Sequence, residues 1–374
     1  MKKNLKKLLI TFVMLIFSLG ANAKVNKAPI SIQEQGRFTV GGKVKTSEGT
    51  YTPIPKSIAD RKGGAFWDAY NASIEAGGQT LHGDHASVFY QIPVKAKKNS
   101  LVFLHGYGGG VQTWQTTPDG REGFDTIFLR KGYSIYLIDQ PRQGSASKTT
   151  EKYEIKAVPD EQFWYAQFRI GVYPNMNKGV AFPADKESQE QFFRSMTTST
   201  GAFDLNLITD SMVKLFEKIG KGIFITHSAG GAVGWMTAIK SDKVTAVVSY
   251  EPGAFPFPEG EVPEKIESRF GDVAPMVVSK EDFKKLTKIP IIIYFGDFIP
   301  EQLDGTQGGE QWYIRMKLAQ QFVETVNKYG GKAELVHLPK VGIKGNTHFI
   351  FSDLNNQQVA EHLANWLRKN GLDK

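Results

Sequence analysis

The sequence has no cysteine among its 374 residues. Disulfide bonds therefore cannot stabilise the fold, and no thiol is available for attachment of a lipid near the N-terminus. A chain of this length does not need disulfides, because it can bury a large hydrophobic core. The absence of cysteine therefore excludes a small disulfide-stabilised protein and a lipoprotein.

Long hydrophobic runs are also missing. The apolar run 8–20 is shorter than the ~20 residues that a membrane-spanning helix needs. Four lysines lie among the first seven residues, and Ala21-Asn22-Ala23 follows the run. This order is typical of a secretory signal peptide that is cleaved after Ala23. We therefore expect residues 1–23 to be removed, and the mature protein to be periplasmic or extracellular without a stable membrane anchor.

Blocks of basic residues are absent as well. Loss of the four N-terminal lysines would lower the formal net charge from +8 to +4, and that charge is spread thinly along the chain. Nucleic acid is therefore not an expected partner. The chain has no H-E-x-x-H pattern, no other dense ligand cluster and no G-x-x-x-x-G-K-[ST] loop, so neither a metal ion nor another cofactor is expected.

The chain does contain a regular alternation of apolar runs and helical patterns. Residues 30–94 have the pattern of short strands and turns, which we expect to pair in an antiparallel manner. Further strands are predicted at 101–104, 133–139, 222–226, 244–250, 289–295 and 333–338. Helices are predicted at 123–130, 204–219, 229–240, 311–328 and 352–370. The alternation predicts an α/β fold over residues 24–374, with a mostly parallel sheet covered by helices on both faces.

Residues 151–201 do not show this alternation of strands and helices. The segment has no clear strand–helix period, but it is rich in aromatic residues: Phe163, Trp164, Tyr165, Phe168, Tyr173, Phe182, Phe192 and Phe193. A long irregular insertion within a compact domain is usually functional. Two interpretations remain open, a packed surface subdomain and an aromatic-lined cap over a pocket.

Residues 222–235, GIFITHSAGGAVGW, predict a strand, a sharp turn at Ser228 and a helix. Such a turn exposes the serine hydroxyl at the carboxyl edge of the sheet, and the small residues that follow allow the helix to pack close to the strand. The usual pattern is G-x-S-x-G, but Thr226 stands at the position of its first glycine. Ser228 is a candidate nucleophile, and the alternative is a serine that only caps the helix.

The segment FLHGYGGG, residues 103–110, is a second candidate element of a catalytic site. A strand followed by His-Gly and further glycines can present backbone N–H groups to a developing oxyanion. We expect the donors to be the N–H groups of Tyr107 and Ala229, with Gly108 as the alternative to Tyr107. A dinucleotide-binding G-x-G-x-x-G loop does not fit, because Val111 occupies the position of the third glycine.

His348 is the candidate general base, since it lies in the loop between the last strand and the last helix. The acid that orients its imidazole is less uniquely defined. Glu251 ends the strand 244–250, and an acid that ends a buried strand needs a partner. Asp297, after the next strand, is the alternative acid, and Asp304 lies farther along the same loop.

These segments resemble those of the α/β-hydrolases. HGYGG, residues 113–147, THSAGG, SYEPG and GNTHF are similar in particular to a small group of secreted bacterial esterases whose acid is a glutamate after the sixth strand. The resemblance implies Ser228 as nucleophile, His348 as base and Glu251 as acid. It also implies hydrolysis of carboxylic esters without a metal or cofactor.

The expected activity is therefore ester hydrolysis through an acyl-enzyme. An amidase, a thioesterase or another acyl hydrolase would use the same three residues, and a catalytically silent binding protein could keep the same fold. Hydrolysis of epoxides or haloalkanes needs a carboxylate nucleophile where Ser228 stands, which argues against both. The aromatic insertion favours a small, apolar or aromatic ester as the substrate.

Overall fold

The computed structural model describes residues 28–54 and 64–374. The predicted signal peptide, residues 1–23, lies outside the described residues. Ile32–Lys374 form one compact unit. Within the described ranges, no helix combines the length and the hydropathy needed to cross a bilayer.

An eight-stranded sheet forms the centre of this unit. Its strands in chain order are β1 (Ile32–Thr46), β2 (Thr80–Pro93), β3 (Ser100–Leu104), β4 (Ile135–Asp139), β7 (Gly222–His227), β8 (Val244–Tyr250), β11 (Pro290–Phe295) and β12 (Lys332–His337). Two small separate sheets contain β5 (Gly171–Val172) with β6 (Asn175–Met176), and β9 (Pro256–Pro258) with β10 (Met276–Val278).

The large sheet has the spatial order β1-β2-β4-β3-β7-β8-β11-β12. Strand β2 pairs antiparallel with β1 and with β4, and every later neighbour in the order pairs in parallel. Because parallel strands end at the same edge, the residues that follow β3, β7, β8, β11 and β12 collect at one rim of the sheet. The predicted α/β class, with N-terminal antiparallel strands before a mostly parallel sheet, is confirmed.

Helices alternate with these strands. They are α1 (Gly64–Ile74), α2 (Gln112–Gln115), α3 (Phe124–Arg130), α4 (Glu161–Gln167), α5 (Lys186–Arg194), α6 (Leu205–Ile219), α7 (Gly230–Lys240), α8 (Lys280–Leu286), α9 (Gln307–Lys328) and α10 (Asn356–Lys369). Helix α6 illustrates the local causes: the Asp204 carboxylate accepts a hydrogen bond from the Leu207 N–H at 3.0 Å and caps the helix. Ile208, Met212 and Leu215 then recur at helical spacing and are buried.

Three of the predicted helices begin one residue after the predicted start, and two others begin four residues away from it. Helix α9 begins at Gln307 rather than at residue 311, because the Thr306 side chain caps it and Gly308 packs against the carbonyl of Ala166. Helix α10 begins at Asn356 rather than at residue 352, because the preceding residues form turns in which the Ser352 N–H donates to the Phe349 carbonyl. The approach of Gly308 to Ala166 is a tertiary contact, whereas the Thr306 cap and the turn from Phe349 to Ser352 are local.

The aromatic insertion, residues 151–201, lies between β4 and α6 and contains α4, β5, β6 and α5. The eight aromatic residues named above differ in burial. Buried are Tyr165, Phe168, Phe182 and Phe192; Trp164 and Phe193 are partly buried, and Phe163 and Tyr173 are exposed. The segment therefore has packed aromatic residues of its own and also presents aromatic rings at its surface.

Candidate active site

Ser228 occupies a sharp turn between strand β7 and helix α7. Ile223 and Phe224 of β7 are fully buried, and burial of such a side chain stabilises the fold by roughly 1.5–3 kcal/mol. Ser228 has φ of +52°, a left-handed conformation that costs about 1–3 kcal/mol for a residue other than glycine. Its N–H donates to the Tyr250 carbonyl at 3.0 Å, and its own carbonyl accepts from the Gly253 N–H at 2.9 Å. The surrounding backbone therefore holds the serine in a strained turn at the sheet rim.

Glycines allow neighbouring segments to approach this turn. A Cβ on Gly106 would lie 2.7 Å from the Cβ of Ser228, closer than non-bonded carbon atoms can come. A Cβ on Gly231 would collide with Pro252, which follows strand β8. The small residues that the sequence places around Ser228 therefore leave room for the loop after β3 and for the chain after β8.

Thr226, which departs from the G-x-S-x-G pattern, fits into the structure through two contacts. Its hydroxyl lies 2.9 Å from that of Ser249 on the neighbouring strand, so the buried oxygen is hydrogen-bonded. A Cβ on Gly234 would lie 2.9 Å from the methyl carbon of Thr226. The glycine on helix α7 thus provides the space that the usual motif obtains from a glycine on the strand.

His348 lies in the loop between β12 and α10, as predicted. Its N–H donates to the carbonyl of Phe168 at 3.0 Å, and its carbonyl is 3.1 Å from Nε2 of His227. The buried Asp353 accepts hydrogen bonds from the N–H and the hydroxyl of Thr347 at 2.7 and 2.8 Å. Burial raises the pKa of Asp353 to about 7. The loop that carries the imidazole is therefore fixed on both sides of His348.

Glu251 follows strand β8 directly, and β8 is the sixth strand of the large sheet in chain order. Its φ is +45°, a second strained position at the same rim. Its Oε2 lies 2.6 Å from Nδ1 of His348, and its Oε1 accepts from the Gly296 N–H at 2.7 Å. The carboxylate is fully buried and bonds to the imidazole that the sequence assigns as the base.

The alternative acids have other partners. Both carboxylate oxygens of Asp297 accept hydrogen bonds from backbone N–H groups, those of Phe298 and Gly345, each at 2.8 Å. Asp304 accepts from the N–H and the hydroxyl of Thr306 at the start of α9. The structure thus brings Glu251 to His348 and leaves Asp297 and Asp304 in structural hydrogen bonds.

Ser228 and His348 line the same cavity, whose volume is about 250 Å³. No hydrogen bond joins the Ser228 hydroxyl to the imidazole within the described part of the chain. Because Nδ1 of His348 is engaged by Glu251, its Nε2 is the nitrogen that can accept a proton from the cavity side. Catalytic hydrogen bonds in ligand-free sites are often long and tighten when substrate binds. Three larger surface cavities in the described part of the chain include neither Ser228 nor His348 in their linings.

The N–H groups of Tyr107 and Ala229 are the predicted oxyanion donors, and both residues line this cavity. Neither N–H donates a hydrogen bond to another residue in the described ranges. The loop that carries Tyr107 is anchored through His105, whose Nδ1 lies 2.7 Å from the Gly106 carbonyl, and through Gly108, whose carbonyl accepts from the Thr197 N–H at 2.7 Å. Both N–H groups are therefore unpaired within the described ranges and belong to residues that line the cavity.

The sequence did not indicate Arg169, which comes from the aromatic insertion. Its Nη2 donates to Oε1 of Glu251, and its Nε donates to the carbonyl of Asp297 at 2.8 Å. Its guanidinium lies 5.2 Å from the centroid of the Trp312 ring on helix α9. Arg169 and Trp312 were missed because no local pattern links a lone arginine or a helical tryptophan to a glutamate far along the chain.

The electrostatic surroundings of His348 favour the neutral imidazole. Burial lowers its pKa well below the usual 6.5, and the positive charges of Arg169 and Arg315 act in the same direction. Burial also lowers the pKa of the neighbouring His227. A neutral imidazole bonded to a carboxylate at one nitrogen can act as a base at the other.

No group of three His, Asp or Glu residues in the described ranges is arranged to hold a metal ion.

Comparisons with known proteins identify relatives of the chain. No protein-family model matches it. The solved structure of a bacterial esterase is 31% identical, has a TM-score of 0.70, and the alignment covers 93% of this chain and 99% of the esterase. The probable secreted lipase phiG from a fungal species (strain ATCC 74256) is 24% identical over 307 residues, 72% of this chain and 81% of that lipase. With its mostly parallel sheet and the strand–Ser228–helix turn, the chain belongs to the α/β-hydrolase superfamily.

Proposed function

We propose that the protein hydrolyses carboxylic esters, with Ser228 as nucleophile, His348 as general base and Glu251 as the acid that orients the imidazole. The observation that carries the proposal is the 2.6 Å contact between His348 Nδ1 and Glu251 Oε2, beside a cavity that Ser228 also lines. The similarity to a bacterial esterase and to a probable secreted lipase supports an ester as the bond that is cleaved.

In the first half of the reaction, the Ser228 oxygen attacks the ester carbonyl carbon while Nε2 of His348 takes the hydroxyl proton. The tetrahedral oxyanion accepts hydrogen bonds from the N–H groups of Ala229 and Tyr107. Glu251 stabilises the imidazolium that forms. The C–O bond to the alcohol then breaks, and His348 returns its proton to the departing oxygen.

In the second half, water replaces the alcohol. Nε2 of His348 takes a proton from the water as its oxygen attacks the acyl carbon. Collapse of the second tetrahedral intermediate breaks the bond to Ser228, which regains the proton from His348. The products are the carboxylic acid and the free enzyme, and no cofactor enters either half of the cycle.

The walls of the cavity support a small substrate with an apolar or aromatic part. Trp164 and Phe168 of the aromatic insertion line it together with Trp312 and Phe349. Its volume of about 250 Å³ is below the ~300–1,000 Å³ that is usual for pockets of drug-sized ligands. In this proposal the aromatic insertion acts as a cap, and long acyl chains would extend beyond the cavity.

We also propose export of the protein, with cleavage after Ala23. The N-terminal sequence supports it, and so does the similarity to a probable secreted lipase. N-terminal sequencing of protein recovered from the periplasm or the medium would give Lys24 as the first residue. An intact Met1 in the cell-associated fraction alone would contradict export.

The role of Ser228 is tested by the substitution Ser228→Ala. We expect turnover of short aryl esters to fall by a factor of about 10⁴ or more, since the nucleophile is lost while the proposed oxyanion donors remain. The wild-type protein should also be labelled covalently by a fluorophosphonate, and the variant should not. Undiminished hydrolysis by the variant would contradict the assignment, and an unlabelled, inactive wild type would indicate a silent binding protein.

A further inference from the structure

Arg315 brings a positive charge to the cavity that Ser228 lines. The residue lies on α9, is partly buried, and donates from Nη1 to the carbonyl and the side-chain oxygen of Gln311 at 2.9 and 2.7 Å. No carboxylate among the described residues forms an ion pair with it. Burial lowers the pKa of Arg315 to about 10, so it is still charged at neutral pH. A desolvated guanidinium without a counter-ion is unfavourable unless a ligand supplies one.

The second guanidinium of the site is already neutralised. Arg169 is paired with Glu251, whereas Arg315 is not paired. Both guanidinium carbons lie 5.2 Å from the centroid of the Trp312 ring, and that ring lies 4.2 Å from the imidazole of His348. Stacking on Trp312 therefore holds the unpaired charge close to the reacting groups.

The remaining lining of the cavity carries no opposing charge. It consists of aromatic, small and neutral polar residues: Tyr107, Trp164, Gln167, Phe168, Ala229, Gly253, Trp312 and Phe349, with Ser228 and the two histidines. Burial lowers the pKa of both His227 and His348, so both rings are neutral at pH 7. At that pH the described residues that line the cavity therefore carry one full charge, and it is positive.

We infer that Arg315 binds a carboxylate of the substrate, and that the preferred substrates are esters that carry one carboxylate a few atoms from the scissile carbonyl. This inference rests on the proposed ester hydrolysis. A planar guanidinium donates two parallel hydrogen bonds to a carboxylate, and one cation balances one monoanion. A phosphate dianion would need a second free cation, and the described lining residues include no other lysine or arginine. The small cavity limits the distance between the two groups, as in monoesters of short dicarboxylic acids.

The experiment compares anionic esters with neutral partners of matched length. The 4-nitrophenyl monoester of glutaric acid is paired with its methyl ester, and 4-acetoxybenzoate is paired with its methyl ester, so that the carboxylate is on the acyl side in one pair and on the alcohol side in the other. We expect the wild type to show a higher kcat/KM for the anionic member of at least one pair. In Arg315→Gln, the ratio of anionic to neutral kcat/KM for that pair should fall about 10- to 100-fold.

Two further variants separate charge recognition from a structural role. Arg315→Lys keeps the charge without the planar fork, so its ratio should lie between those of the wild type and Arg315→Gln. Lys317→Gln removes one positive charge from the same helix, where Lys317 contacts the Tyr313 ring, and should leave the ratio unchanged. If Arg315 served only to support α9, Arg315→Gln would lower both members of a pair equally and leave the ratio as in the wild type. That result would overturn the inference.

The outcome also distinguishes this inference from the proposed function. If the wild type hydrolyses the neutral esters in a Ser228-dependent manner but Arg315→Gln keeps the wild-type ratio in both pairs, only the carboxylate preference fails. If none of the four esters is hydrolysed in a Ser228-dependent manner, the proposed hydrolysis fails, and the inference fails with it.

Discussion

At the scale of single residues, Glu251 has contacts that suit an orienting acid. One carboxylate oxygen bonds to the imidazole of His348, and the other is held by the Gly296 N–H and by Arg169. The second oxygen therefore fixes the carboxylate while the first fixes the ring. The two oxygens of Asp297 do not have separate roles of this kind, because both accept hydrogen bonds from backbone N–H groups.

Paired substitutions test this difference. Glu251→Gln should lower kcat/KM by roughly 10³- to 10⁴-fold, because the amide no longer stabilises the imidazolium and leaves Arg169 without its counter-ion. Asp297→Asn is the matched control; it should mainly affect stability, measured by urea unfolding. A larger loss of kcat/KM from Asp297→Asn than from Glu251→Gln would assign the acid role to Asp297.

The pH dependence of the reaction follows from the surroundings of His348. The imidazole must be neutral to accept the Ser228 proton, so kcat/KM falls as the pH drops through its pKa. Burial, Arg169 and Arg315 lower that pKa well below 6.5; Glu251 acts in the opposite direction but is paired with Arg169. With a neutral ester, kcat/KM should stay at its plateau at pH 6.5 and decline only under more acidic conditions.

The measurement is a pH–rate profile of kcat/KM in buffers of constant ionic strength, with circular dichroism to verify that the protein stays folded at each pH. An inflection at or above pH 6.5 would show that the charged groups around His348 do not have the expected net effect.

At the scale of secondary-structure elements, the packing of helix α7 on strand β7 depends on a complementary pair. The methyl group of Thr226 fills the space that Gly234 leaves on the helix. The sequence predicted the strand, the helix and their close approach. It could not show which glycine leaves room for the Thr226 side chain. That depends on a contact between residues eight positions apart on different elements.

Substitution of the pair tests the interpretation. Gly234→Ala should lower the free energy of unfolding by about 1–3 kcal/mol, because its Cβ overpacks against the Thr226 methyl group. Thr226→Ser removes that methyl group but keeps the hydroxyl that contacts Ser249. In the double variant, Thr226→Ser should recover part of the loss, as measured by urea unfolding in a double-mutant cycle. Additive effects of the two substitutions would contradict a direct contact.

At the scale of the whole molecule, most of the architecture was predictable from the sequence. The apolar run 244–250 coincides with a strand, because a strand in the middle of the sheet is buried on both faces. The amphipathic run 204–219 coincides with a helix to within one residue, because a helix on the sheet is buried on one face. The topology places Ser228, Glu251 and His348 at one rim, since each follows a parallel strand. The sequence indicated the aromatic insertion but not its position, because that position depends on single contacts such as the one between the Phe168 carbonyl and the His348 N–H.

The bond from Arg169 to Glu251 has a consequence for engineering. Loops above a hydrolase core are attractive parts to transplant between homologues when a new specificity is wanted. In this chain, replacement of residues 151–201 would remove a cation from a buried carboxylate, along with part of the pocket wall. A successful chimaera therefore needs a donor loop that supplies its own basic group to that carboxylate, or an altered residue at 251.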